Sequence, residues 1–205
     1  NKVAVRLNGA YQNNKSFRHG LKTERIYVNP SVAFRPDDKT EIVVEMDYFN
    51  NDNTPDRGTV NLGPDSENHL YEMPKGKFLG FITDNNLTES LNFSTTAVRR
   101  INNKFKLRAA YFNSSYQNEN VSSSLCKGAA ATGFAVRTRS LSKSVREDNN
   151  QTFQFDFIGQ DVYTGKIKHT FQTGFDWTMA NVNTSSFAPK NNIDVINVLN
   201  EISNV

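Results

Sequence analysis

Apolar and polar residues alternate with period two in two consecutive runs between Val28 and Tyr48. Val28, Pro30, Val32 and Phe34 form one stripe and Ile42, Val44, Met46 and Tyr48 the next, while Ser31, Arg35, Glu41, Glu45 and Asp47 take the other face. Between the runs, Arg35-Pro36-Asp37-Asp38-Lys39-Thr40 carries no aliphatic side chain. Pro36 fixes φ and the aspartates can bond nearby backbone, so the pattern predicts a hairpin with a tight polar turn. The first of these runs opens at Thr23, and its Pro30 removes a ladder donor, which predicts a bulge there.

Five further runs repeat the pattern. Residues 3–12 place Val3, Val5, Leu7, Gly9 and Tyr11 on one face; residues 87–100 do so with Leu91, Phe93, Thr95 and Ala97; residues 105–111 with Phe105, Leu107, Ala109 and Tyr111. Phe153, Phe155 and Phe157 then alternate with Gln154 and Asp156, and Ile167, His169, Phe171, Thr173, Phe175 and Trp177 oppose Lys168, Thr170, Gln172, Gly174 and Asp176. The sequence therefore predicts an all-β chain, an antiparallel meander of about seven long strands.

The reversals after Arg35, Ile101 and Asp161 are short, whereas residues 13–22, 50–86 and 113–151 form polar connections of greater length. One rim is thus trimmed and the other elaborated. Tyr11, Tyr48, Tyr111 and Trp177 lie where strands run into the longer connections, and Phe34, Phe105 and Tyr163 flank the short turns. A soluble sheet would alternate in the same way. Rings at both ends of an apolar band, with loops long on one side only, are the marks of a transmembrane β-barrel with aromatic girdles at headgroup level.

Composition agrees with a barrel once the alternation is known. Mean hydropathy is −0.61 and 37% of the 205 residues are hydrophobic. No apolar run approaches the roughly 20 residues of a spanning helix, but barrel strands turn only alternate residues to lipid. The net charge of +3 is mild and its basic residues are spread out, which gives nucleic-acid binding no footprint. Cys126, the sole cysteine, has no His or Cys at metal-ligand spacing and reads as a loop thiol. The inward face carries mixed charges, among them Arg6, Arg35, Glu41, Glu45, Asp47, Lys106, Arg108, Asp156, Lys168 and Asp176, suited to salt bridges around a wet or plugged lumen. It holds no Ser-His-Asp set or metal cluster, and His169 stands alone near a turn, so no catalytic residue, metal site or resident cofactor is expected.

The long connections hold the remaining features. Leu70-Tyr71 and residues 78–82 are apolar clusters that either pack locally or meet a ligand. Arg137, Arg139, Lys143 and Arg146 form a basic series, read either as a solvated loop face or as an attractor for an anionic chelate or lipopolysaccharide phosphates. Within it, residues 135–144 alternate enough to extend a strand above the membrane. Beyond residue 181, a weak apolar period at 192–202 leaves helix and strand open. The chain begins in mid-strand without a leader and shows no closing strand, so it is expected to be a piece of a longer protein.

Two motifs carry a family resemblance. The string Pro30-Ser31, Phe34-Arg35-Pro36-Asp37-Asp38-Lys39-Thr40, a strand ending in Asp47-Tyr48-Phe49, then Pro55-Asp56-Arg57-Gly58, resembles the barrel of TonB-dependent siderophore receptors of the bacterial outer membrane. The hairpin through Tyr163-Thr164-Gly165 into Lys168-His169, with Gly174 and Asp176 downstream, is similar to the family's K-H-x-x-x-x-G-x-D hairpin. Together they span about residues 25–180. The resemblance implies roughly a third of a 22-stranded barrel whose plug domain and C-terminal strands lie outside this chain. It implies a ferric siderophore as transported ligand, the TonB complex acting through the plug, and outer-membrane lipid and lipopolysaccharide as surroundings. Family ligands are met mainly from loops, which makes Arg57, Tyr71, Phe78, Phe81 and Arg137 the candidates here. A soluble β-sandwich for carbohydrate binding or adhesion is the rival expectation, and a barrel importing oligosaccharide differs from the first only in cargo.

Overall fold

The computed structural model describes residues 2–202. Seven strands form one antiparallel sheet in chain order: β1 (Val3–Lys15), β2 (Lys22–Asp37), β3 (Thr40–Asn53), β4 (Asn85–Arg100), β5 (Phe105–Leu125), β6 (Val136–Thr164) and β7 (Ile167–Asn197). Turns at 38–39, 101–104 and 165–166 make the short rim, and connections at 16–21, 54–84 and 126–135 the elaborated one. Two 3-10 turns, Leu70–Glu72 and Ala130–Thr132, are the helical elements of the described residues.

The registers carry the apolar stripe unbroken from strand to strand. Val5 faces Val32, which faces Val44; Met46 faces Phe93; Thr95 faces Tyr111, then Phe153, then Trp177. Directly opposed residues share a face, so these side chains form one continuous outer band. The band is not covered: Leu7 is 71% exposed, Val5 73% and Trp177 52%. With one sheet and no second layer over its apolar face among the described residues, the sandwich expectation is overturned.

The polar face is cross-linked instead. Asn8 Nδ2 donates to Asn29 Oδ1 at 2.9 Å, and Tyr27 Oη donates to Asp47 at 2.6 Å. Arg108 Nη1 donates to Asp156 at 2.9 Å, and Gln172 Nε2 donates to the other oxygen of that carboxylate at 2.9 Å. Gly174 faces Asp156, and a Cβ there would lie 2.2 Å from the Phe155 carbonyl oxygen, which is why the second motif needs glycine at this position.

Three expectations are corrected and one question left open is decided. The β2–β3 ladder skips Asn29 and Pro30 without changing register, so no bulge forms at the proline; Asn29 Nδ2 donates to the Met46 carbonyl at 3.1 Å, supplying a donor where the proline has none. The slip in that hairpin lies between Phe34 and Asp37. Residues 113–151 are not a long loop, because β5 runs to Leu125 and β6 starts at Val136 in an unshifted pairing from Phe105–Gly159 to Leu125–Arg139. β7 likewise continues to Asn197, so the open region from residue 182 is mostly strand. Finally, an irregularity between Gly159 and Val162, with Asp161 at φ 55°, pairs Tyr163 with Lys168 and moves that ring off the outer band. The other belt residues, Tyr11, Phe34, Tyr48, Phe105, Tyr111 and Trp177, fall on the outer face by register.

Among the described residues, a dry core exists only at the elaborated rim. Met73, Leu79, Ala135, Ile196 and Val198 are buried together, with Val60, Leu62, Leu125 and Ile202 packed against them. The connection 54–84 therefore folds onto the upper ends of β5, β6 and β7.

Candidate functional site

The rim is assembled from the turn chemistry of 54–58 upward. Asp56 accepts from the Gly58 amide at 2.9 Å, a side-chain turn that Gly58 completes at φ 68°. The same carboxylate receives Arg18 Nη1 at 2.5 Å from the β1–β2 tip, and Arg18 Nε donates to the Lys75 carbonyl at 3.2 Å. The His19 amide donates to the Gly76 carbonyl at 3.2 Å. At the far flank, Lys77 Nζ donates to the Val198 carbonyl at 2.9 Å and also to that of Asn200. One connection is thus fastened to the first hairpin and to the chain beyond β7.

Its return leg is held by Asp84, 2% exposed, which accepts from the Ser123 amide at 2.9 Å and from the Ser123 hydroxyl. Arg57 approaches the same carboxylate at 3.5 Å, and its Nε and Nη2 have no hydrogen-bond partner. Arg139, 1% exposed, donates through Nε to Asp194 at 2.8 Å and through Nη1 to the Gly80 carbonyl at 2.9 Å, with its guanidinium 4.0 Å from the centre of the Phe81 ring. Pairing with Arg139 outweighs desolvation and holds the Asp194 carboxyl below its usual range.

Of the loop candidates, Tyr71 stands out into solvent at 83% exposure, on the Leu70–Glu72 turn. Phe78 and Phe81 are buried within the rim. Arg137 is buried as well, and Arg57 lies close behind Asp84; the structure brings neither of them to Tyr71 in any recorded contact. The basic series is engaged internally: Arg137 Nη2 donates to the Asn61 carbonyl at 2.7 Å, Lys143 pairs with Glu119, Arg146 pairs with Asp148 at 2.9 Å, and Arg139 with Asp194.

Sequence reasoning missed Asp84, Ser123 and the cluster around His69. His69 Nδ1 lies 2.6 Å from Glu72 and Nε2 lies 2.9 Å from Glu67, while the His69 amide donates to Asn61 Oδ1 at 2.8 Å. Hydrogen bonds to Glu72 and then to Glu67 raise the imidazole above its ordinary value of 6.5. The repeated acidic spacing around a lone histidine, Glu67-x-His69-x-x-Glu72, was the available signal. Among the described residues no group of three or more His, Cys, Asp and Glu side chains is arranged to hold a metal ion.

No protein-family model matches the chain. The metal-pseudopaline receptor CntO of Pseudomonas aeruginosa PAO1 is 29% identical over 181 residues, 85% of this chain and 24% of the relative. The CntO of strain UCBPP-PA14 matches to the same extent, so the chain spans 24% of the length of the curated relatives it matches. Among solved structures, the open form of the ferric-catecholate import receptor Fiu from Escherichia coli K12 superposes with a TM-score of 0.80 at 20% identity, over 100% of this chain and 34% of that one. BauA, the ferric preacinetobactin receptor of Acinetobacter baumannii, gives 0.76 at 13% identity, over 97% and 29%. The resemblance to TonB-dependent siderophore receptors read from the two motifs is met by both comparisons, and the fold is that of a segment of such an outer-membrane barrel.

Proposed function

We propose that this chain is a stretch of barrel wall, with its external rim, from an outer-membrane receptor that takes up a ferric siderophore. The TonB complex would energise uptake through a plug domain outside this chain. The observation that carries the reading is the pairing of an uncovered apolar band with an ion-paired opposite wall, both crowned by a packed rim on one side only. The chain's part is structural and receptive rather than chemical: the wall lines the lumen, outer-membrane lipid and lipopolysaccharide surround it, and the rim presents side chains such as Tyr71 to a ligand. The receptor character of the relatives supports a non-enzymatic role.

A second cargo is favoured by one observation. The relative with the higher identity, 29%, is named for a metal-pseudopaline complex, against 20% for the ferric-catecholate receptor. Uptake of radiolabelled iron and of radiolabelled nickel or zinc chelates, in cells carrying or lacking the full-length gene, separates the readings. Loss of iron uptake alone supports the siderophore reading, and loss of the other metals alone supports the second. Unchanged uptake of every metal chelate, with impaired growth on an oligosaccharide, overturns both in favour of a sugar importer.

A further inference from the structure

A cavity of about 720 Å³ lies at the short rim and another of about 440 Å³ at the elaborated rim. The first is bordered by turns in which Arg99 pairs with Asp37 and Arg35 with Glu41. The second differs in two respects, one at Cys126, which the receptor reading leaves unused, and one at Arg137, a loop candidate that the structure buries.

Its lining includes Cys126, an exposed free thiol, and Arg137, which is 5% exposed. Cys126 is where the β5–β6 ladder ends. Its amide still donates to the Thr138 carbonyl at 3.0 Å, but the Thr138 amide donates to Sγ, at 2.8 Å, so sulfur takes the acceptor role in this terminal pair. A donor held on sulfur favours the thiolate. Partial burial pushes this thiol up, but the Thr138 amide and the Arg137 charge outweigh it, and the net shift is downward.

Arg137 supplies the second observation. Nη2 donates to the Asn61 carbonyl, but the buried Nη1 has no partner. It rests on Gly128, also in the lining, where a Cβ would fall 1.5 Å from it and 2.6 Å from the Phe134 carbonyl oxygen. The remaining charges of the lining are Lys127 and Asp65, paired at 2.6 Å and both largely exposed. While Cys126 is a thiol, two cations against one carboxylate leave the cavity net positive, and its ionisation to the thiolate brings the lining to neutrality.

We propose that this cavity is a thiol-exchange site, in which Cys126 takes up one half of a small anionic disulfide. The thiolate Sγ attacks one sulfur of the disulfide, a new S–S bond forms to Cys126, the original S–S bond breaks, and its electron pair leaves with the departing thiolate, which takes a proton from water. The buried guanidinium draws the anionic reagent and favours the charged nucleophile. The outer-membrane reading enters only in giving the rim access to the external medium. The test is done on purified protein, so its failure is separable from failure of that reading.

Full-length protein in detergent micelles is treated with oxidised glutathione or with the cationic disulfide cystamine, and the mixed disulfide on the Cys126 peptide is followed by mass spectrometry. Oxidised glutathione is expected to modify Cys126 about tenfold faster than it modifies the same residue in urea-unfolded protein. It should also outpace cystamine, and that advantage should shrink in high salt. Arg137→Gln should abolish the preference for the anionic reagent and Arg137→Lys should retain it; if either variant misfolds, the two-reagent ratio in the wild-type protein still decides. Equal rates in folded and unfolded protein, a faster reaction with cystamine, or Cys126 already joined to another cysteine of the full-length protein would each overturn the proposal.

Discussion

The wall and the rim of this molecule are held together by different physics, although the same strands run through both. In the wall, the apolar residues of β1 to β7 point away from the sheet and stay uncovered, Leu7 and Val5 more than two-thirds so. Its internal order comes from backbone ladders and inward pairs such as Arg108 with Asp156. In the rim, apolar residues turn toward one another: Leu79 is 1% exposed and Val198 0%. On the barrel-wall reading proposed above, the wall relies on lipid to bury its surface, whereas the rim buries its own. A substitution should therefore reveal its location by the solvent in which it does harm.

The largest effect is expected from emptying the rim. Met73→Ala, at a side chain 1% exposed, should cost about 2–5 kcal/mol of local stability. Hydrogen exchange should then accelerate in residues 54–84 and in the upper ends of β5 to β7. Equal acceleration in the lower halves of β2 to β4 would erase the distinction between the regions. Next comes a charge in the band. Phe93→Arg, facing Met46 across the ladder, should cost about 2–4 kcal/mol in a bilayer and far less in a micelle that can deform around it. A penalty independent of the surrounding lipid would mean that this face is not lipid-facing.

The smallest effect sharpens the rim itself. Because the His69 imidazole gains its bonds to Glu72 and Glu67 only in the folded rim, its raised value contributes stability that is fully present below pH 6.5 and is lost as pH rises through the folded value. Protection of residues 61–72 from proteolysis should thus be greater at pH 5.5 than at pH 8 (about one unit below and more than one above the ordinary value). His69→Gln should remove the difference. An unchanged digestion pattern between the two conditions would assign the cluster no part in ordering the loop.

Legibility in the sequence follows the same division. In the band, one face is apolar and uncovered and the other polar and ion-paired, so alternation is enforced, and the hairpins of β1 to β4 were readable from Val28, Val32, Val44 and Phe93. Above the band both faces are wet or packed against other protein, and that constraint lapses. Residues 113–125 and 182–191 are strands whose composition reads as loop. Tyr163 misled because one irregular residue pair reverses every later position, and nothing in its local sequence announces that reversal. At the rim, Pro55-Asp56-Arg57-Gly58 was recognisable as a motif, but its purpose depends on Arg18, 38 residues away from Asp56. Arg139 was visible as part of a basic series, while its partner Asp194 lies far downstream of it and the ring of Phe81 far upstream.

Gly76 and Lys77 are neighbours, yet one receives the amide of His19 and the other grips the carbonyls of Val198 and Asn200. They act as a drawstring knot. The mouth of the molecule along this arc cannot widen one hairpin at a time, since slack at the first tip is tension at the last. A pull on either tip is therefore passed to the other through this one connection.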